Sequence, residues 1–194
     1  MYYLTGMLRL LCKIYWKITG WKITGNFPYQ YKKMVLIVAP HTSWKDVLVG
    51  FAARSELKIF HARFLGKKEL FDGPFGFLFR WMGGTPVDRF SKQGMVEQVT
   101  SLFAANENFL LAMAPEGTRK RVDKLRSGFY HIARQALVPI LPVGLDFENK
   151  KLIIGDVIFT TADEAADLKK IIAFFSTIKG AKPEFDLRHL KAPE

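Results

Sequence analysis

The stretch that decides the fold runs Met34-Val-Leu-Ile-Val-Ala39, then Pro40-His-Thr-Ser-Trp-Lys45, then Asp46-Val-Leu-Val-Gly-Phe-Ala-Ala-Arg54. The first six residues are apolar without interruption, have the length of a strand, and stop at Pro40. An unbroken apolar run, unlike an alternating one, describes a strand covered on both faces. The segment from Asp46 to Arg54 reads as a helix with an acid in its first turn and a base in its last, as the helix dipole favours. A buried strand, a short turn and a helix together form the repeating unit of a parallel α/β sheet.

Working outward, the same alternation continues. Leu57-Lys-Ile-Phe60 reads as the next strand, and residues 67–82 as a helix interrupted around Gly73-Pro74. Gly83-Gly84 is a turn and Thr85-Pro-Val87 a short edge strand, because proline cannot donate to a ladder. Ser91 to Asn106 reads as a helix with Ser91 as its cap, and Asn108-Phe-Leu-Leu-Ala-Met113 as a central strand closed before Pro115. A helix over Gly128–Leu137, strands near 140–146 and 151–154, and a helix over 163–178 complete the pattern. The expected fold is therefore α/β: a single domain with a mostly parallel central sheet flanked by helices, preceded by an N-terminal amphipathic helical element. No internal repeat, low-complexity tract or linker divides it. Residues 1–25 read as a membrane-interfacial helical segment and residues 26–194 as the α/β domain.

Composition narrows the function. The chain has 194 residues, 49% of them hydrophobic and 17 of them Phe, which excludes disorder and exceeds what one core requires. Its formal net charge of +11 favours an anionic partner. The single cysteine, Cys12, excludes an intrachain disulfide and a cysteine-based zinc site, and fits a reducing compartment. No metal site is expected.

Charge is unevenly placed. No Asp or Glu precedes Asp46, whereas Arg9, Lys13, Lys17, Lys22, Lys32, Lys33 and Lys45 all do. In the first helix Leu4, Leu8, Leu11, Tyr15 and Ile18 form one stripe, and Arg9, Lys13 and Lys17 another. Basic residues interrupt the apolar runs too often for a membrane span, and no continuous apolar core marks a secretory signal. A basic, aromatic amphipathic helix suits the headgroup layer of an anionic membrane, which predicts a peripheral or monotopic protein on the cytoplasmic face. Nucleic acid is the other anionic partner the charge permits, but no binding motif supports it.

Two motifs follow predicted strand ends, where the ligand sites of open α/β sheets collect. His41 and Asp46, five residues apart, have the chemistry of a general base and the carboxylate that orients it. Among the remaining residues no convincing protein nucleophile is present, so the hydroxyl to be activated belongs to a substrate. In Pro115-Glu-Gly-Thr-Arg119, Gly117 permits a tight turn, Thr118 offers a hydroxyl, and Arg119 offers a planar fork for phosphate oxygens. Glu116 beside them suits the hydroxyls of a polyol, or Arg119 itself. A third cluster, Gly83-Gly-Thr-Pro-Val-Asp-Arg89, offers Arg89 as a second phosphate ligand with Asp88 as its partner.

Together these blocks resemble the glycerol-phosphate and 1-acylglycerol-3-phosphate acyltransferases, in a short, divergent, bacterial-type branch. The family's ordered blocks stand here as His41-Thr-Ser-Trp-Lys-Asp46, Gly83 to Arg89, Pro115-Glu-Gly-Thr-Arg119 and Val138-Pro-Ile-Leu-Pro-Val143, spanning about residues 34–146. A Glu-Gly-Thr-Arg tetrapeptide arises by chance in roughly one chain per thousand of this length, and four blocks in order are far rarer. Departures from the pattern are Pro40 before the His, Pro86 where an aromatic is frequent, and Ala114 where Phe is usual.

The resemblance implies transfer of a fatty acyl group from a thioester, acyl-CoA or acyl carrier protein, to a lysolipid hydroxyl, with no bound cofactor. The acceptor it implies is 1-acylglycerol-3-phosphate, as in phospholipid biosynthesis. His41 would be the general base and Asp46 its partner. Arg119, with Thr118 and Gly117, would bind the acceptor phosphate, and Glu116 the glycerol backbone. Arg89 and Lys68 would add further phosphate contacts. Alternatives are a lysolipid acceptor without phosphoglycerol, and a non-catalytic lipid-binding relative. The aromatic run from Phe71 to Met82 suits an acyl groove, a membrane contact or core. His61, His131 and His189 are assigned no role.

Overall fold

The computed structural model describes residues 2–88 and 94–191, with side chains from Gly6 onward. Helix α1 (Tyr2–Thr19) leads into a three-residue strand, β1 (Lys22–Thr24), and then β2 (Lys33–Ala39) and α2 (Lys45–Glu56). Next come β3 (Ala62–Lys67), the short helices α3 (Lys68–Asp72) and α4 (Gly76–Trp81), and β4 (Gly84–Val87). The chain continues through α5 (Met95–Ala105), β5 (Phe109–Met113), α6 (Gly128–Ala136), β6 (Ile140–Asp146), β7 (Lys151–Ile154) and α7 (Glu164–Phe175).

The seven strands lie in the order β1-β7-β6-β2-β5-β3-β4. Every neighbouring pair is parallel except β6 with β7. The unbroken apolar run of β2 has its cause here, since β2 is hydrogen-bonded on both edges and covered on both faces. Its side chains alternate between two cores. Met34 and Leu36 join Trp16, Trp21, Val49, Ala52 and Ala53 on the side of α1 and α2. Val35, Ile37 and Ala39 join Phe103, Phe129, Ile132, Ile171 and Phe175 on the side of α5, α6 and α7.

Pro142 sits inside a central strand without breaking it. Its carbonyl accepts from Gly155 N–H at 2.9 Å, so this residue's hydrogen-bonding edge faces the β7 side, where the β7 ladder covers only residues 143–146. The N–H that proline lacks would point the same way, so no bond to β2 is lost.

One expectation is corrected. Leu57–Phe60 is not a strand: the N–H groups of Leu57, Lys58 and Ile59 turn back to the carbonyls of Ala53, Ser55 and Arg54, and Lys58 is left-handed with φ 56°. The Arg54 guanidinium holds this turn by donating to the carbonyls of Phe60 and Met82, and the strand follows at Ala62. On α1 the apolar residues divide between the domain and the surface. Cys12, Tyr15 and Trp16 pack inward, while Met7, Leu10, Leu11, Ile14 and Ile18 are exposed. Aromatic contact decides the docking edge, with the Trp16 ring tilted against Trp21 at 6.1 Å and Trp21 meeting Phe147 edge-on.

Smaller differences concern boundaries. The segment 67–82 is two helices separated at Gly73-Pro74-Phe75, and the helix expected from Ser91 begins at Met95. Ser91 lies outside the described residues. Strand β1 was not expected, because three residues with one buried neighbour carry too little periodicity to read.

Gly144 lies where β6 pairs with Ala39, and a Cβ there would stand 2.2 Å from Cδ1 of Ile178. Gly144→Ala is therefore expected to lower stability by about 1–3 kcal/mol through overpacking, read as a shift in the urea midpoint at constant slope.

Candidate active site

The turn after β2 folds around one carboxylate. Asp46, at the start of α2, is 4% exposed, and its Oδ2 accepts the N–H groups of Thr42 at 2.6 Å and Ser43 at 2.7 Å. The same oxygen stands 3.2 Å from Nδ1 of His41. A carboxylate at this distance fixes the Nδ1–H tautomer and leaves the lone pair on Nε2. The imidazole is partly exposed, so Nε2 is within reach of a ligand while its orienting partner is dry.

Glu116 comes from the end of β5, the strand next to β2. It is 1% exposed, and Oε1 accepts the backbone N–H of His41 at 2.7 Å. The other oxygen, Oε2, is buried without a hydrogen-bond partner, as is Oδ1 of Asp46. Burial pushes the Glu116 carboxyl up to about 7, opposed by the N–H of His41 and its own N–H. The nearby imidazole pulls the value down and the Asp46 carboxylate pushes it up.

The rest of the Pro115–Arg119 block is a turn that faces outward. Gly117 has φ +66°, a conformation that favours glycine, and its N–H returns to the Ala114 carbonyl. Thr118 Oγ1 accepts from Lys120 N–H at 3.3 Å, Arg119 is exposed, and Arg126 N–H donates back to the Pro115 carbonyl at 2.8 Å. A loop closed at its base thus presents Arg119 beside the dyad strand.

Lys68 and Asp88 follow β3 and β4 and stand 3.7 Å apart as an exposed ion pair. At about 4.8 Å per strand they lie roughly 10 and 14 Å along the sheet from the end of β2. With Asp72, Arg80, Pro86 and Gln98 they line a cavity of about 330 Å³. Asp88, expected as the partner of Arg89, pairs with Lys68; Arg89 itself lies outside the described residues. Four parallel strands therefore deliver His41, Glu116, Lys68 and Asp88 to one end of the sheet, with Lys68 and Asp88 set apart from the dyad.

Two contacts at this site had no signal in the sequence. Thr42 Oγ1 accepts the N–H of Lys182 at 3.1 Å, and His189 Nε2 lies 2.7 Å from the Val122 carbonyl. Both join residues far apart in the chain, which no local spacing reveals.

A family model described as Acyltransferase matches residues 21–146. The chain belongs to the acyltransferase family. A segment of 87 residues is 33% identical to the 1-acyl-sn-glycerol-3-phosphate acyltransferase of Cocos nucifera. The match takes in 42% of this chain and only 28% of that protein, so the chain spans less than a third of the relative's length. Among solved structures, the 1-acyl-sn-glycerophosphate (LPA) acyltransferase PlsC from Thermotoga maritima superposes with a TM-score of 0.56 at 18% identity. That likeness covers 87% of this chain and 74% of the other, and it shows a shared fold. His41, Asp46 and Glu116 lie inside the matched acyltransferase region.

Glu116→Gln isolates the cost of the buried carboxyl. Between the ordinary value of 4.5 and about 7, the unfolded chain is ionised while folded Glu116 keeps its proton, so wild-type stability falls as pH rises through this window. Glutamine does not titrate and keeps an oxygen for the His41 N–H. The variant should gain on wild type by about 2–3 kcal/mol more near pH 8 than near pH 5 in urea unfolding. A pH-independent difference would place the carboxyl elsewhere.

Proposed function

We propose that the protein transfers a fatty acyl group from an acyl thioester to the free hydroxyl of a lysolipid, with 1-acylglycerol-3-phosphate as the acceptor. The observation that carries this reading is the Asp46-held imidazole of His41, set beside buried Glu116, in a chain of the acyltransferase family. The acceptor hydroxyl gives its proton to Nε2 of His41 as its oxygen attacks the thioester carbonyl carbon. The tetrahedral intermediate collapses with cleavage of the C–S bond, and the departing thiolate takes up the proton from the imidazolium. Asp46 orients the imidazole and stabilises the imidazolium, as in hydrolases that activate a serine. Arg119, with Thr118 and Gly117, binds the acceptor phosphate, and Arg89 and Lys68 are assigned further phosphate contacts. The thioester carrier is coenzyme A or an acyl carrier protein, taken as co-substrate.

The acceptor is a lipid, and the surface near the dyad suits one. Trp44 and, on α2, Val47 and Leu48 are exposed within a few residues of His41. Helix α1, which packs on α2, exposes Met7, Leu10, Leu11, Ile14 and Ile18, with Lys13 and Lys17 exposed on the same helix. No described helix is long and apolar enough to cross a membrane. An exposed apolar surface with lysines beside it supports peripheral attachment to an anionic leaflet on the cytoplasmic side.

His41→Ala should lower transfer from acyl-CoA to 1-acylglycerol-3-phosphate by about 10²–10⁴-fold while unfolding at the wild-type midpoint. Near-wild-type turnover would rule out the mechanism. Arg119→Ala should raise the acceptor KM about tenfold or more, in line with loss of a charge-assisted contact; an unchanged KM points to a headgroup without phosphate. For the membrane, Leu11→Ser with Ile14→Ser and Ile18→Ser should weaken binding to vesicles containing phosphatidylglycerol, measured by co-sedimentation. These positions are exposed, so the fold is spared, whereas deleting the helix would also remove Trp16 from the core.

A further inference from the structure

The chain beyond α7 returns to the site and touches both of its loops. Ile178, 1% exposed, packs on Gly144 next to the end of β2, and the Lys179 carbonyl accepts from Phe147 N–H at 2.9 Å. Gly180 is buried against the dyad turn: a Cβ there would lie 3.0 Å from Cγ2 of Thr42 and 3.2 Å from Cβ of Pro40. Lys182 N–H donates to Thr42 Oγ1 at 3.1 Å. Leu187 and Leu190 anchor the following residues in the core beneath α5 and α6. Between them His189 donates through Nε2 to the Val122 carbonyl at 2.7 Å, since a carbonyl can only accept.

Each attachment leads to one half of the site. Thr42, held through its hydroxyl, gives its own N–H to Asp46 Oδ2, the oxygen that orients His41. Val122 lies three residues after Arg119 in the loop that closes on Pro115, and it packs partly on the core with Leu125. The tail is therefore the one described segment that is bonded to both the base-bearing turn and the arginine-bearing loop after residue 146.

We propose that residues 178–190 brace the active site, with Thr42 and His189 as positioning residues that set the separation between the base and the acceptor's anion site. This rests on the function proposed above. Neither residue touches the reacting atoms: Thr42 acts through Asp46, and His189 through the loop carrying Arg119. Two attachments on two loops give two separable effects.

Thr42→Val removes the acceptor for Lys182 N–H at nearly constant volume, and Thr42→Ser retains it. His189→Leu removes the donor to Val122, and His189→Gln offers an amide N–H in its place. With acyl-CoA and 1-acylglycerol-3-phosphate, Thr42→Val should lower kcat about five- to tenfold with acceptor KM within about twofold, the size expected of one hydrogen bond. His189→Leu should do the reverse, raising acceptor KM by a similar factor. Thr42→Ser and His189→Gln should each recover most of the loss. Hydrogen–deuterium exchange, which needs no turnover, should quicken in residues 40–46 for Thr42→Val and in residues 116–126 for His189→Leu.

Unchanged kinetic constants with unchanged local exchange would overturn the brace. So would a uniform rise in exchange across the domain, the mark of residues that only stabilise the fold. A wild-type protein that transfers no acyl group would overturn the proposed function instead, and the exchange pattern alone would then decide the brace.

Discussion

Three donors converge on a single buried oxygen, Oδ2 of Asp46, and the site depends on that convergence. Two are backbone N–H groups, so the carboxylate is held by the chain that it also shapes. The third is the His41 imidazole. A surface Asp–His pair would be worth little, because water competes for both partners. Here the carboxylate is buried and bonded to two fixed backbone N–H groups, so water does not compete for the oxygen that faces His41. The turn cannot open without uncovering a buried anion, which ties the local conformation to the chemistry.

The parallel sheet converts this local device into a site. Because β2, β5, β3 and β4 are adjacent and parallel, the residue that follows each strand emerges at the same end. Motifs that are 75 residues apart, such as His41 and Glu116, become hydrogen-bonded neighbours. Distance along the sheet then sorts their roles. Glu116, one strand away, is bonded to the His41 backbone, whereas Lys68 and Asp88 follow strands two and three places along the sheet and form their own pair. Burial also sets the character of Glu116. Its carboxyl is pushed up to about 7 in a dry setting, so the group bonded to the His41 backbone titrates near neutral pH instead of carrying a permanent negative charge.

The legibility of this protein in its sequence follows from the range of each signal. Strands β2, β5, β6 and β7 were readable because continuous apolar runs bounded by Pro, Asn or Gly have few other interpretations. His41, Asp46 and Glu116 were readable as motif members at strand ends, but the bond between Glu116 and the His41 backbone was not, since it depends on the register of β2 against β5. Leu57–Phe60 looked like a strand because Leu57 and Ile59 alternate with polar residues. Both are indeed buried, but in a helix-terminating turn that Arg54 ties down from within α2. On α1 the apolar residues outnumber those that can dock, so periodicity alone left the packed edge undetermined. Trp16 took it by meeting Trp21, and Leu11 and Ile18 were left outside.

His189 marks the far limit of such reading. It lies in a charged tail with no periodic pattern, beyond the region that the acyltransferase family model matches. Yet part of that tail is core: Leu187 is 1% exposed, Leu190 is buried, and Asp186 is buried with its carboxylate held by Arg188. A tail without function or structural duty would be expected to fray, because ordering each residue costs about 1–2 kcal/mol of conformational entropy. Burial of Ile178, Leu187 and Leu190 offsets that cost, and it does so at positions that hold Lys182 and His189 against the two site loops. The groups that would carry out acyl transfer thus come from residues 41–119, while part of the frame that keeps them in register comes from the last turns of the chain.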